Sequence, residues 1–162
     1  MMKNNVKAFT LVEILISLSI IGVVVTSALG LFIIGSNSIK QASTHRDVTW
    51  IMEKKLSEVK DLYEKYPHSK YPSGVTSAEI SDIITNVSEI LPDTNPVDLW
   101  SSSGLSSMSG MEKINKLSYN FIIAFYSDND EIKQVGIVIT WYDPVTGKGK
   151  QDSSTIFISR DD

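Results

Sequence analysis

Hydrophobic and polar positions change rhythm several times along the chain. The 22 residues from Ile14 to Gly35 carry no charge, and 15 of them are hydrophobic, so this run has no polar face. As a helix it would reach about 33 Å, matching a hydrocarbon core of about 30 Å, and it predicts a membrane span. Beyond it the helical period continues with a stripe: Val48, Met52, Leu56, Val59, Leu62, Tyr63 and Tyr66 follow steps of three and four. Glu53, Lys54, Lys55, Glu58, Lys60, Asp61 and Glu64 fill the other faces, which is the pattern of an amphipathic helix. Pro67 stops it. The two runs together predict one helix from about Phe9 to Tyr66.

Thr76 and Glu79 have capping-box spacing, and Ile80, Ile83, Ile84, Val87, Ile90 and Leu91 continue at helical intervals up to Pro92. A short second helix is predicted there. Asp93 to Gly110, rich in serine and glycine, reads as a mobile loop. The period then falls to two in Leu117–Tyr126, Ile132–Tyr142 and Ser153–Ser159, which predicts a three-stranded antiparallel meander. Tyr119, Phe121, Ile123 and Phe125 share one face with Val135, Ile137, Ile139 and Trp141 and with Ile156 and Ile158, and that face would cover the helix stripe. The expected fold class is α+β: a long N-terminal helix, half membrane-suited and half amphipathic, packed on a small antiparallel β-sheet of about three strands. The expected segments are a leader (1–8), an apolar helix (9–35), its amphipathic continuation (36–66), a variable region with a short helix (67–116) and the sheet (117–162).

Composition sharpens this picture. The hydropathy of the 162 residues averages to neutral, as in an ordinary soluble domain, but that average joins an apolar helix to a polar head. The absence of cysteine excludes a disulfide framework, a thiol nucleophile, an iron–sulfur cluster and a cysteine-type zinc site. A net charge of −4 gives no broad positive field, so no direct nucleic-acid contact is expected. Two isolated histidines, His45 and His68, belong to no recognisable nucleophile motif. Gly147-Lys148-Gly149-Lys150 lacks the glycine spacing and following helix of a phosphate loop and reads as a hairpin turn. Asp128, Asp130 and Glu131 alternate as calcium ligands do, yet the segment passes into a strand, so a plain turn is the expectation. The sequon Asn86-Val87-Ser88 falls on the apolar-striped helix and is set aside. No catalytic residue, cofactor or metal is expected, and the chain does not read as an enzyme.

The chemistry that stands out is at the amino terminus. Lys3 and Lys7 precede the span and favour a cytoplasmic N-terminus, with the head on the other side. The run is too long for the core of a cleaved signal peptide, and Glu13 at its edge has no use in one. A carboxylate costs about 2.5–3.5 kcal/mol at the centre of an inserted helix, so Glu13 is a functional candidate by default. If the chain were cut between Ala8 and Phe9, the new α-amine would lie four residues before Glu13 on the same helix face. In parallel helices, the amine of one copy could pair with the carboxylate of the next, relieving both charges and fixing the axial register. The plainer reading is a glutamate that snorkels to the headgroups.

Lys7-Ala8-Phe9-Thr10-Leu11-Val12-Glu13, followed by an apolar helix, resembles the leader and N-terminal segment of the type IV pilin and pseudopilin family. The resemblance covers the first 30 to 35 residues or so. It implies a pilin-like head, cleavage by a prepilin peptidase between Ala8 and Phe9, N-methylation of Phe9, and Glu13 as the assembly glutamate. The implied partners are other pilin subunits, the peptidase, an inner-membrane assembly platform and membrane lipid. The implied location is the cytoplasmic membrane as a single-pass protein, then an extracellular pilus or pseudopilus. The chain has Ala8 where the family usually has glycine, and it lacks the mid-span proline common in major pilins. Gly22, Gly30 and Gly35 are the weak points of the helix, serving either extension in a filament or close helix packing. The expected function is that of a structural subunit, a minor pilin, of a type IV pilus. The alternatives are a pseudopilin of a type II secretion or competence DNA-uptake system, and a membrane-anchored binding protein that forms no filament.

Overall fold

A computed structural model describes residues 10–82, 87–88, 96–101, 104–105, 107–127 and 132–160. Ala8, Phe9, Asn86, the acidic trio Asp128, Asp130 and Glu131, and Ile83, Ile84, Ile90 and Leu91 of the expected second helix lie outside these residues. The chain divides into two compact units, Met1–Ala42 and Ser43–Asp162.

Helix α1 (Leu11–Lys65) runs through both units, close to the expected bounds. In the first unit its side chains are exposed almost throughout. In the second, Val48, Ile51, Leu56, Val59, Leu62 and Tyr63 are buried, as the stripe requires. The Tyr66 N–H still donates to the Leu62 carbonyl at 3.0 Å, and Pro67 follows with no N–H to continue the ladder.

The sheet is fully antiparallel, with strands in chain order: β1 (Val87–Ser88), β2 (Ser107–Ile114), β3 (Leu117–Ser127), β4 (Ile132–Tyr142) and β5 (Gly149–Ser159). Register places Phe121 opposite Ile139, Ile123 opposite Ile137, and Val135 between Phe125 and Ile156. Alternate residues therefore reach one face, and Tyr119, Phe121, Ile123, Val135, Ile137 and Ile139 form a single core with the helix stripe. The predicted α+β arrangement of long helix and small antiparallel sheet is the observed one.

The sheet is wider than the meander read from the sequence. Strand β2 occupies part of the serine-rich stretch expected to be a loop, because alternation survives there in a polar disguise: Met108 is buried and Met111 is exposed. Strand β5 begins at Gly149 because Gly149–Asp152 pairs with Tyr142–Ile139. The second helix is shorter than expected, α2 spanning only Ser77–Ser81. Its start has the predicted capping box, in which the Thr76 N–H donates to Glu79 at 2.7 Å and Thr76 Oγ1 accepts from the Glu79 N–H at 3.4 Å. The Thr76 N–H first, and then the Thr76 hydroxyl donating to Glu79 Oε2 at 2.9 Å, hold the Glu79 carboxyl below its usual range. Val87 and Ser88 instead pair with Gly110 and Ser109. Isoleucine, threonine and valine are indifferent helix formers, and sheet pairing outweighs their helical spacing.

Polar links fasten the helix to the sheet. Lys54 donates to Glu112 on β2 at 2.9 Å, and the fully buried Lys55 pairs with Glu58 at 2.9 Å and lies 5.3 Å above the centre of the Phe121 ring. Asp47 accepts from Asn115 Nδ2 at 3.3 Å and from the Tyr119 hydroxyl at 3.5 Å. Burial, and then the neighbouring Asp47, pushes the Tyr119 phenol up to about 12. In the connection before β2, Val97, Leu99, Trp100 and Leu105 are buried and belong to the core. Tyr63 donates to the Leu99 carbonyl at 3.1 Å, and the buried Lys133 donates to the Ser101 carbonyl at 3.0 Å.

Candidate functional site: the N-terminal segment

The side chains in the N-terminal half of α1 are exposed. Leu11, Ile14, Leu18, Val23, Leu31 and Phe32 are each at least half exposed, as are most of the other large apolar residues of this stretch. The helix is long and apolar enough to cross a membrane, and none of its most apolar window is buried. Three hydroxyl side chains inside the run find acceptors on their own helix. Ser19, Thr26 and Ser27 each donate at 2.8 Å to the carbonyl four residues earlier, those of Leu15, Gly22 and Val23. Such bonds let serine and threonine enter hydrocarbon without an unpaired donor.

Glu13 is held by a local device that the sequence reading missed at this end of the chain. Thr10 precedes the helix, and both its backbone N–H and its hydroxyl donate to Glu13 Oε2, at 3.0 and 3.1 Å. Thr10 Oγ1 also accepts from the Glu13 N–H at 3.3 Å. This is a capping box, so Glu13 satisfies the Thr10 N–H at the helix start and places negative charge at the positive end of the helix dipole. Its signal, a threonine three residues before a glutamate, is plain in Thr10-Leu11-Val12-Glu13. Among the described residues only Oε2 takes these bonds, and no bond to Oε1 is found.

At Gly22, Gly30 and Gly35 an added Cβ would meet nothing within 4 Å. Packing within the chain therefore does not demand glycine at these positions. His45 is exposed and stands edge-on to Trp141 at 6.0 Å, and His68 Nδ1 lies 2.6 Å from an Arg160 guanidinium nitrogen. Among the described residues there is no cluster of three or more potential metal ligands.

An exposed apolar helix followed by a folded α+β head defines the class: a protein whose amino-terminal helix suits a membrane anchor. Residues 3–29 match the family model of the prokaryotic N-terminal methylation motif, so the chain carries a type IV pilin-like prepilin segment. Comparisons with curated proteins and with solved structures give no match. The motif marks a methylated substrate of prepilin peptidase and implies, in general terms, assembly with other pilin subunits. It supports membrane anchoring and points to a structural, non-enzymatic protein.

Proposed function

We propose that the chain is a structural subunit, of the minor pilin kind, of a type IV pilus or related filament. In this reading, prepilin peptidase cuts between Ala8 and Phe9, Phe9 is N-methylated, and Glu13 pairs with the N-terminal amine of a neighbouring subunit. The chain crosses the cytoplasmic membrane once, amino terminus inside, before the assembly platform moves it into the filament. The observation that carries the reading is the methylation motif at residues 3–29, of which residues 11–29 lie on the exposed first part of α1. Fully exposed apolar side chains need lipid before assembly and the helices of other subunits after it. Gly22, Gly30 and Gly35 then serve the packing or extension of those helices, since among the described residues nothing lies within 4 Å of a Cβ added at them.

Two measurements test this. Mass spectrometry of the mature protein should give a chain that begins at methylated Phe9; an intact Met1 or a cut near Gly30 would contradict it. Glu13→Gln keeps a capping side chain but removes the charge, whereas Glu13→Ala removes both. Both variants should insert in the membrane and fail to enter filaments. Normal incorporation of Glu13→Gln would show that the carboxylate charge does not serve assembly.

A further inference from the structure

The sheet turns one face to the helix stripe and the other outward. On the outward face, alternate residues from Ser118 to Tyr126 on β3, from Gln134 to Tyr142 on β4 and from Gly149 to Phe157 on β5 carry no charge. In a chain with 21% charged residues, an outward face is where charge would be expected. Within it, Asn120, Thr140 and Gln151 stand opposite one another on β3, β4 and β5, and all three are exposed. They make a row of amide, hydroxyl and amide across three strands.

Along this row the face is hollowed. Ser118, Asn120, Thr140, Tyr142, Gly149 and Gln151 line a depression of about 710 Å³, a volume suited to a small ligand. Tyr142 is 65% exposed, and its partner across the strands is Gly149. Nothing in the fold asks for glycine there: its φ is not positive, and among the described residues an added Cβ would meet nothing within 4 Å. What the glycine does is leave the floor beside Tyr142 without a side chain, as glycines do where a ligand approaches a strand closely. Lys150, the one charged residue of the lining, is already paired with Asp143 at 2.7 Å.

We propose that this depression binds a neutral carbohydrate chain. One sugar ring lies over Gly149 against Tyr142, and hydroxyls of the chain bond to Asn120, Thr140 and Gln151. Amide and hydroxyl side chains both donate and accept, as sugar hydroxyls do, so the row pairs with them in either sense. The face of a tyrosine ring is electron-rich and attracts the C–H bonds on the flat side of a pyranose. The charge of the lining matches a neutral ligand: an anionic one would find no unpaired cation there, and a cationic one no carboxylate. An apolar partner would strip water from Asn120, Thr140 and Gln151 and return no hydrogen bonds. The inference concerns the head alone and stands or falls separately from the filament reading.

The test uses the full chain in dodecylphosphocholine micelles, whose headgroup carries no sugar, with cellohexaose and N-acetylchitohexaose as probes. Binding is measured by isothermal titration calorimetry, and its position by the side-chain amide resonances of Asn120 and Gln151. Saturable binding of at least one probe, with both resonances shifted, is the expected result. Gly149→Leu fills the depression and Tyr142→Ala removes the ring, and each should weaken binding about tenfold. Gly149→Leu should do so without lowering the melting temperature, because no packing is disturbed. Thr140→Val, which keeps the shape and loses the hydroxyl, should weaken binding roughly two- to tenfold. No saturable binding of either probe, unshifted amide resonances or unchanged affinity in Gly149→Leu would each overturn the proposal. Tighter binding of anionic hexagalacturonate than of both neutral probes, or dimers formed through this face that exclude them, would do the same.

Discussion

The β2–β3 turn makes a prediction whose two arms have opposite signs. Ile114 and Leu117 face each other across the hairpin, and the residues between them, Asn115 and Lys116, have φ values of 51° and 70°. Two consecutive positive φ values are those of a type I′ turn, whose twist suits a two-residue hairpin and whose preferred sequence is Asn-Gly. Asparagine tolerates that conformation, whereas lysine meets a steric cost of about 1–2 kcal/mol there. Lys116→Gly removes that cost and gives part of it back as entropy of the unfolded chain, leaving a net gain of about 0.5–1 kcal/mol. Lys116 is exposed and has no ion pair or hydrogen bond in the structure, so little else should be lost.

Asn115→Ala works the other way. It puts a residue intolerant of positive φ into the turn and deletes the 3.3 Å bond from Asn115 Nδ2 to Asp47, a carboxylate only 8% exposed. Asp47 would keep the Tyr119 hydroxyl at 3.5 Å. Losing a hydrogen bond to a charged group, together with the turn strain, should cost about 2–3 kcal/mol. For a head of this size these figures mean a rise of about 2–4 °C for Lys116→Gly and a fall of roughly 10 °C for Asn115→Ala. Thermal melts of the full chain in micelles, followed by fluorescence, would report them through the buried Trp100 and Trp141. A lower melting temperature for Lys116→Gly, or no change for Asn115→Ala, would refute the assignment of the turn.

Three further outcomes can be checked in the same way. Lys55→Ala should destabilise the head by about 3 kcal/mol by leaving partly buried carboxylates unpaired, while Lys54→Ala, with a side chain 30% exposed, should cost under about 1 kcal/mol; similar losses in chemical denaturation would contradict this contrast. Asp143 accepts from Lys150 Nζ at 2.7 Å, from the Val145 N–H at 2.9 Å and from the Thr146 hydroxyl at 2.9 Å, and these bonds, Lys150 first, hold its carboxyl far below the usual range. Its stabilisation is therefore full above the unfolded-state value of about 3.9 and is lost as pH falls from there, so Asp143→Asn should be less stable at neutral pH and should flatten the acid limb of the melting curve; an unchanged limb would exclude the effect. Gly104→Ala would drive a Cβ into the Asp98 carbonyl oxygen and should cost about 1–3 kcal/mol, visible as a lower denaturation midpoint.

What the sequence disclosed about the fold followed the range of the interactions involved. The helix stripe from Val48 to Tyr66 and the faces of β3 and β4 were legible because burial imposes a period on each element by itself. Strand β2 was not, since Ser107, Ser109 and Gly110 carry no hydrophobic signal and the strand exists through its pairing with β3. Strand β1 is two residues whose partners lie more than twenty positions away, and local spacing argued for a helix there. The Asn115-Lys116 hairpin was hidden for a related reason: the second turn position holds a lysine where a glycine would have announced it.

The same limit applied within the candidate site, with a different result. Thr10-Leu11-Val12-Glu13 and Thr76-Ser77-Ala78-Glu79 share one four-residue spacing, and both form capping boxes. In the second, a cap was the natural reading, because an apolar period begins there. In the first, a carboxylate at the edge of an uncharged run drew attention to charge, and its hydrogen-bonding role went unread. The two roles are compatible. Both described bonds from Thr10 end on Oε2, so Glu13 can close the start of its own helix with one oxygen and, in the proposed filament, offer Oε1 to the amine of a neighbour. Capping fixes the side chain against the helix before any partner arrives, which reduces the rotamer entropy lost on pairing. A glutamate at the third helical position is thus preorganised for the proposed pairing in a way that the same residue one turn further along could not be.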